Sequence, residues 1–115
     1  MANSNENCLF CKIIKGEIKS DIKYEDENTL AFSDINPQAP VHILVIPKKH
    51  VTVLNDASDE IVAQCISAAK KLARDMQIAE PGYRVVINCN RSGGQEVYHL
   101  HVHLLGGRQM KWPPG

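Results

Sequence analysis

Residues 99–105 read HLHVHLL, with a histidine at every second position and an aliphatic residue at each position between them. Successive side chains of a β-strand point to opposite faces of its sheet, so this alternation predicts a half-buried strand. His99, His101 and His103 would share one face, while the aliphatic residues would pack on a core through the other. Neighbouring histidines would lie roughly 6.6 Å apart at Cα, because a strand rises about 3.3 Å per residue. A row of imidazoles at that spacing is close enough to act on one small ligand.

The rest of the chain predicts four more strands and two helices. The strands are expected in IKYEDENTLAFSDI, which holds two joined by a polar turn, in HILVIP and in PGYRVVIN, with the fifth in VYHLHVHLL. A long amphipathic helix is expected from about Ser58 to Ile78, and a short one in CLFCKIIKGE. Helices and strands segregate rather than alternate, which indicates an α+β fold: one domain over residues 1–115 with a mostly antiparallel sheet. The histidine row is expected to avoid the long helix.

The charges of the chain balance, because 13 basic and 13 acidic residues occur among 115, with no long run of either sign. A broad nucleic-acid footprint or a patch for anionic membranes is therefore not expected, and any bound anion must be held locally. The N-terminus lacks a signal peptide pattern, and no apolar stretch approaches the roughly 20 residues of a membrane span. The expected location is cytoplasmic, with a nuclear location also open.

The histidine row calls for a functional explanation. A lone histidine on a strand is most often a surface residue or a satisfied core residue. Three in register are different, because they would repel one another when charged and would strand hydrogen-bond donors when buried. Since a free imidazole has a pKa near 6.5, it supplies both a nucleophile and an acid near neutral pH, as phosphoryl chemistry needs. The row therefore indicates a site.

Several segments resemble one known family. HLHVHLL matches the alternating signature of the histidine triad superfamily, and DINPQAPVHILVIPKKH, SGGQEVYH and LLGGRQMKWPPG resemble its nucleotide-binding branch, so that the resemblance covers nearly the whole chain. The resemblance implies a homodimer that binds purine nucleoside monophosphates and hydrolyses AMP-type phosphoramidates or acyl-nucleotides through a nucleotidyl-histidine intermediate. It implies no cofactor for the chemistry. In the dimer, the long helix and the fifth strand would lie at or near the two-fold interface, and the Trp112 tail would approach the partner's site.

Carried over by position, the resemblance assigns His101 as the nucleophile on the α-phosphorus. His103 and His42 would contact phosphate oxygens and assist the leaving group, and His99 counts with them among the catalytic histidines. The ribose hydroxyls would contact Asp34, a natural acceptor for a diol. Aliphatic and aromatic residues would wall the base, although plain core packing is an equally open reading of each: Leu9, Phe10, Ile13, Ile18, Phe32 and Ile35.

The resemblance places the phosphate on Asn88 and on the backbone amides around Gly94, Gln95 and Val97, which hold an anion without net charge. Glu96 departs from relatives that carry Ser or Thr there, since a carboxylate beside a phosphate repels it. We expect its side chain to turn outward while its backbone amide still serves the phosphate. We expect Glu96 to change the reaction rate and the preferred leaving group, and not to remove the activity.

Cys8 and Cys11 form a Cys-x-x-Cys pair, which alone leaves a redox motif, half of a metal site and coincidence open. A thioredoxin-like motif follows a strand of a βαβ unit, whereas this pair precedes every expected strand. A zinc site needs two further ligands, and His50 and His99 are the available histidines. We therefore expect structural zinc that the chemistry does not require, with free packed thiols as the alternative. Cys65 and Cys89 are read as packed or incidental cysteines.

Two other functions compete with the hydrolase. One is a regulatory or scaffold protein that binds AMP with little turnover, although the full set of catalytic residue types favours an enzyme. The other is a dinucleoside polyphosphate hydrolase or nucleotidyltransferase of the same superfamily, against which the WPPG tail argues by resemblance.

Overall fold

A computed structural model describes residues 5–115 and contains one five-stranded antiparallel sheet in the order β1-β2-β3-β5-β4. The strands are β1 (Ile22–Glu25), β2 (Thr29–Ser33), β3 (Val41–Pro47), β4 (Tyr83–Val86) and β5 (Val102–Gly106). The helices are α1 (Leu9–Ile14) and α2 (Asp59–Asp75), with a 3-10 turn at Leu54–Asp56 before α2. The predicted α+β fold is confirmed. Residues 1–4 of the expected single domain lie outside the described residues.

The two faces of the sheet carry two apolar clusters, because alternate residues of each strand point to opposite sides. On β3, Ile43 and Val45 pack with Val102 and Leu104 against α2. The intervening Leu44 packs on the other side with residues of α1. His101 also lies on the α1 side, where its ring centroid is 5.2 Å from that of Phe10. The histidines therefore avoid the long helix, as expected.

Helix α2 begins as the sequence indicates but ends three residues earlier. The side chain of Ser58 accepts a hydrogen bond from the N–H of Ile61 at 3.2 Å and caps the first turn. At the other end Gln77 adopts a φ of 62°, and the N–H of Ile78 donates to Ala73 O at 2.9 Å. These are features of a Schellman C-cap, which includes an apolar residue just beyond the helix. Ile78 continues the apolar pattern because it closes this cap, so the prediction that it is helical was wrong.

Strand β5 is shorter than its alternating sequence predicts. Pairing with β3 begins at Val102, opposite Val45. Before that point the N–H of Leu100 donates to Val51 O at 2.7 Å, in the loop after β3. The prediction that VYHLHVHLL is one strand was therefore wrong for its first half, and His99 and His101 precede the ladder. Within the described chain, no helix is long and apolar enough to cross a membrane.

Candidate active site

The ring of His101 is oriented by the main chain of a neighbouring histidine. Its Nδ1 atom lies 2.8 Å from His99 O. A carbonyl oxygen only accepts hydrogen bonds, so Nδ1 carries a proton and donates it. Burial lowers the pKa of His101, against the opposing effects of the His99 carbonyl and the Asp34 charge. In the neutral form, which this shift favours, Nε2 keeps its lone pair and can act as a nucleophile.

His42 and His103 form a hydrogen-bonded pair with a fixed direction. The N–H of Gln38 donates to His42 Nδ1 at 3.0 Å, so the proton of a neutral His42 sits on Nε2. That Nε2 lies 2.9 Å from His103 Nδ1, which must accept, and this leaves the His103 proton on Nε2. The ring of His103 lies 4.9 Å from that of His101 between centroids. A nucleophile therefore stands beside a group that can donate a proton.

Asp34 adds a carboxylate to this pair. One of its oxygens lies 3.4 Å from His42 Nε2, and the other accepts from the N–H of Asn36 at 2.8 Å. Burial lowers the pKa of His42, and the negative charge of Asp34 partly opposes the shift. Burial, with the charges of His101 and His42, lowers the pKa of His103 to about 4, again against Asp34. The carboxylate therefore favours the protonated form of both rings.

Two histidines and one carboxylate within 4.8 Å of one another also resemble a metal-binding set. The hydrogen bonds of the set argue against metal binding by Asp34, His42 and His103. A metal on His42 Nε2 would need the proton on Nδ1, where it would face the N–H of Gln38. The set is better described as a hydrogen-bonded chain.

The loop before β5 is organised by the side chain of Gln95. Its Oε1 accepts from the N–H of Asn90 at 2.9 Å, and its Nε2 donates to Thr52 O at 2.9 Å and Val97 O at 3.1 Å. Gln95 is buried, so these bonds replace contacts with water. From the sequence, only the backbone amide of Gln95 was expected to take part in the site. A lone glutamine within a glycine-bearing loop was the available signal for the side chain.

The backbone amides of the same loop fall into two groups. Those of Gly94 and Gln95 donate within the loop, to Arg91 O at 2.9 Å and Asn90 O at 3.1 Å. Those of Glu96 and Val97 donate to no residue in the range 5–115. The side chain of Glu96 is exposed, and that of Asn88, at the start of the loop, is half-buried.

The six residues expected to wall a base have different environments. Phe10 and Phe32 are buried and contact each other edge-to-face, with ring centroids 5.4 Å apart. Ile13 packs on the same cluster and is half-buried, as is Val97 from the loop. Ile35 is 98% exposed. Because they are buried, the two phenylalanines form part of the apolar core beneath the His101 ring, which the ring of Phe10 contacts edge-to-face. Outside the cluster, Leu9 is exposed and Ile18 is half-buried.

The four expected metal ligands converge at one end of the sheet. The side chain of Cys8 caps α1 by accepting from Cys11 N, while His50 follows β3 and His99 precedes β5. The His99 Nδ1 atom lies 3.3 Å from Cys8 Sγ, 3.6 Å from Cys11 Sγ and 3.2 Å from His50 Nδ1. The fourth contact, Cys11 Sγ to His50 Nδ1, is 3.3 Å. All four donor atoms lie within 4.8 Å of one another.

These separations fit a tetrahedral zinc ion. With Zn–N of about 2.05 Å and Zn–S of about 2.3 Å, tetrahedral ligand atoms are about 3.3 to 3.8 Å apart. The Nε2 of His99 contacts Pro47 O at 2.9 Å and therefore carries the proton, which leaves Nδ1 free to bind a metal. Burial and the charges of His50 and His101 lower the pKa of His99 to about 4, against the Pro47 carbonyl, so the ring is neutral.

The HIT domain model matches residues 15–110, which include the histidines and the loop described above. The chain belongs to the HIT domain family. Among curated relatives of this HIT-domain protein, a "14 kDa zinc-binding protein" from Zea mays is 57% identical over 112 residues, covering 93% of this chain and 87% of the relative. A "Purine nucleoside phosphoramidase" from Escherichia coli is 51% identical over 108 residues, covering 91% of each.

Solved structures agree with the family assignment. A HIT family hydrolase from Legionella pneumophila superposes with a TM-score of 0.92 at 59% identity, covering 95% of this chain and all (100%) of that one. A histidine triad nucleotide-binding protein from Candida albicans superposes with a TM-score of 0.82 at 38% identity, covering 93% of this chain and 83% of that one.

Proposed function

We propose that this HIT-domain protein hydrolyses purine nucleoside phosphoramidates or acyl-nucleotides of the AMP type through a nucleotidyl-histidine intermediate. The observation that carries the proposal is the hydrogen bond of 2.8 Å from His101 Nδ1 to His99 O, which leaves Nε2 unprotonated on a ring whose centroid lies 4.9 Å from that of His103. The similarity to a purine nucleoside phosphoramidase supports the substrate class.

The reaction has two displacements at phosphorus. His101 Nε2 attacks the α-phosphorus, the bond from phosphorus to the leaving nitrogen breaks, and the amine departs with one added proton. His103 Nε2–H donates that proton. For this, the hydrogen-bonded group of His103, His42 and Asp34 must carry one proton in addition to those of the two neutral rings, and the Asp34 carboxylate balances its positive charge. Water then attacks the phosphorus of the intermediate, returns a proton to the chain and releases AMP and free His101. For an acyl-nucleotide, the leaving oxygen takes the place of the nitrogen.

The proposed substrate contacts follow the same geometry. The amides of Glu96 and Val97, with the Asn88 side chain, would bind the phosphate oxygens, because the Gly94 and Gln95 amides already donate within the loop. The carboxylate of Asp34 has oxygen lone pairs left, which would accept hydrogen bonds from the ribose hydroxyls. The base would lie above Phe10 and Phe32, against the more exposed aliphatic residues: Leu9, Ile13, Ile18 and Ile35.

The cluster of Cys8, Cys11, His50 and His99 would hold a structural zinc ion. It would tie α1 to the ends of β3 and β5, and when bound the ion would supply a cross-link rather than a reactive group. The donor set and its spacing support this use, as does the similarity to a zinc-binding protein.

The protein would act as a homodimer. Strand β5 is paired on both sides and β4 forms that edge of the sheet, so β4 would pair with the second copy and β5 would lie next to the interface. Val85 on β4 is 37% exposed, and Trp112 in the tail beside Arg84 of the same strand is 81% exposed. Exposed apolar residues on an unpaired edge favour pairing with a second copy.

A single-turnover assay with an adenosine phosphoramidate tests the proposed function. We expect cleavage of the bond from phosphorus to nitrogen. After acid-free quenching, mass spectrometry should detect an adenylylated peptide that contains His101. An intact phosphoramidate bound at the site would instead identify a regulatory binder. Preferential cleavage of a dinucleoside polyphosphate would identify the other superfamily activity.

A further inference from the structure

The segment that follows β5 runs against the loop between β2 and β3. Gly107 has a φ of 91°, and a Cβ atom there would lie 2.9 Å from Pro40 Cβ, so only glycine permits this approach. The next residue, Arg108, donates from Nε to Gln38 O at 3.0 Å. The chain after the last strand is therefore attached to the loop that precedes His42.

Gln38 connects this attachment to the active site through its main chain. Its carbonyl accepts from Arg108, while its own N–H donates to His42 Nδ1 at 3.0 Å. The remainder of the loop is held by its own side chains, with Gln38 Nε2 donating to Asn36 O at 3.1 Å and Asp34 Oδ1 accepting from Asn36 N at 2.8 Å. Within residues 5–115, the hydrogen bonds of Gln38 to groups outside the loop are those with His42 and Arg108.

We infer that Arg108 is a positioning residue for His42, acting through the main chain of Gln38. By fixing that main chain, Arg108 keeps the Gln38 N–H on His42 Nδ1 and thereby keeps the His42 proton on Nε2, opposite His103. The other tautomer would place two N–H groups face to face at Nδ1 and, while the His103 proton stays on Nε2, two lone pairs face to face between His42 and His103. The catalytic consequence rests on the proposed function, whereas the tautomer does not.

The contact depends on a donor at one position of the side chain rather than on charge. Arg108 is exposed, and across residues 5–115 no carboxylate forms a salt bridge with it. Its other contact is a hydrogen bond of 3.2 Å to Gln109 O, within the same segment. The Nε of arginine is the fourth side-chain atom from Cα, and the amide nitrogen of glutamine occupies the same place. Methionine has a similar length and no donor.

This comparison supplies a matched pair of variants. Arg108→Gln removes the charge and keeps a donor, whereas Arg108→Met removes both. In protein with 15N-labelled histidine at pH 8, we expect long-range proton–nitrogen spectra to show the Nε2–H tautomer of His42 in the wild type and in Arg108→Gln. Arg108→Met should show a mixture of tautomers. The signals of His42 are assigned by their absence in His42→Gln.

The kinetic counterpart uses the same two variants. Since a positioned general acid contributes about 100-fold or more, its partial misplacement in Arg108→Met should lower kcat about fivefold to tenfold, while KM stays within about twofold. Arg108→Gln should recover most of the loss. Wild-type His42 signals in Arg108→Met, or equal defects in both variants, would overturn the inference. If the wild type lacks hydrolase activity but the His42 signals still change in Arg108→Met, the proposed function fails and the positioning role stands.

Discussion

The Nε2 atom of His42 lies 2.9 Å from the Nδ1 atom of His103, and the N–H of Gln38 on the far side of His42 sets the direction of that hydrogen bond. The proton-bearing Nε2 of His103 and the unprotonated Nε2 of His101 thereby belong to different rings, so that the proposed acid and the proposed nucleophile are distinct groups. The chemistry of the site can be tested one group at a time.

Replacing the nucleophile should stop the reaction. In His101→Asn or His101→Gly, turnover should be lost while AMP binding stays within about tenfold, because few ground-state contacts disappear with the ring. Single-turnover kinetics and calorimetric titration with AMP measure the two quantities. Turnover comparable to that of the wild type would rule out the covalent mechanism.

Asp34→Asn should lower the rate of the chemical step at every pH at which both proteins are folded. The negative charge of Asp34 opposes the lowering of the pKa of His42 and of His103, so its removal lowers both further. The leaving group needs the protonated form, whose population declines as pH rises above the pKa. Between pH 5 and 8 the rate should decline with pH in both proteins, with the Asp34→Asn profile parallel and lower. A change in KM alone would assign Asp34 to the ribose and not to the proton chain.

Protein purified without added metal should contain about one zinc ion per chain, because a closed site of two cysteines and two histidines binds zinc tightly near neutral pH. Cys8→Ser should lose the ion and lower the melting temperature by about 5 °C or more, whereas Cys89→Ser, outside the cluster, should retain the ion. Nucleotide binding should weaken more than the chemical step, since Phe10 belongs to the attached helix.

Metal analysis decides the zinc proposal. Well under half an equivalent of zinc, under conditions that spare the metal, would refute the site. Complete loss of turnover at saturating substrate after chelation would contradict a purely structural role.

The wild type should be a dimer at micromolar concentration, and Val85→Glu should shift it toward the monomer. A charge in place of an exposed apolar side chain on the edge strand disfavours pairing of two edges. Light scattering measures both masses, and Lys23→Gln on the opposite edge strand β1 is a control. A monomeric wild type would exclude the dimer.

The sequence predicted the sheet, the helices and the meeting of Cys8 and Cys11 with two histidines, because local periodicity and ligand chemistry determine them. It did not predict features that depend on the local path of the chain. The start of β5 depends on a bond from Leu100 to Val51, and the end of α2 depends on the cap that Ile78 closes. The support that Gln95 gives its loop depends on a carbonyl 43 positions away, which no short pattern indicates.

His99 contributes to two sites through different parts of one residue. Its imidazole lies in the cysteine cluster, while its carbonyl oxygen accepts the proton of His101. Only the carbonyl touches the nucleophile, and every amino acid supplies a carbonyl. A chain in which apolar side chains filled the volume of the cysteine cluster would therefore need to preserve only the path of the main chain at this position. A metal bound by the cluster would therefore be an interchangeable support, and the hydrogen bond that orients His101 would not depend on it.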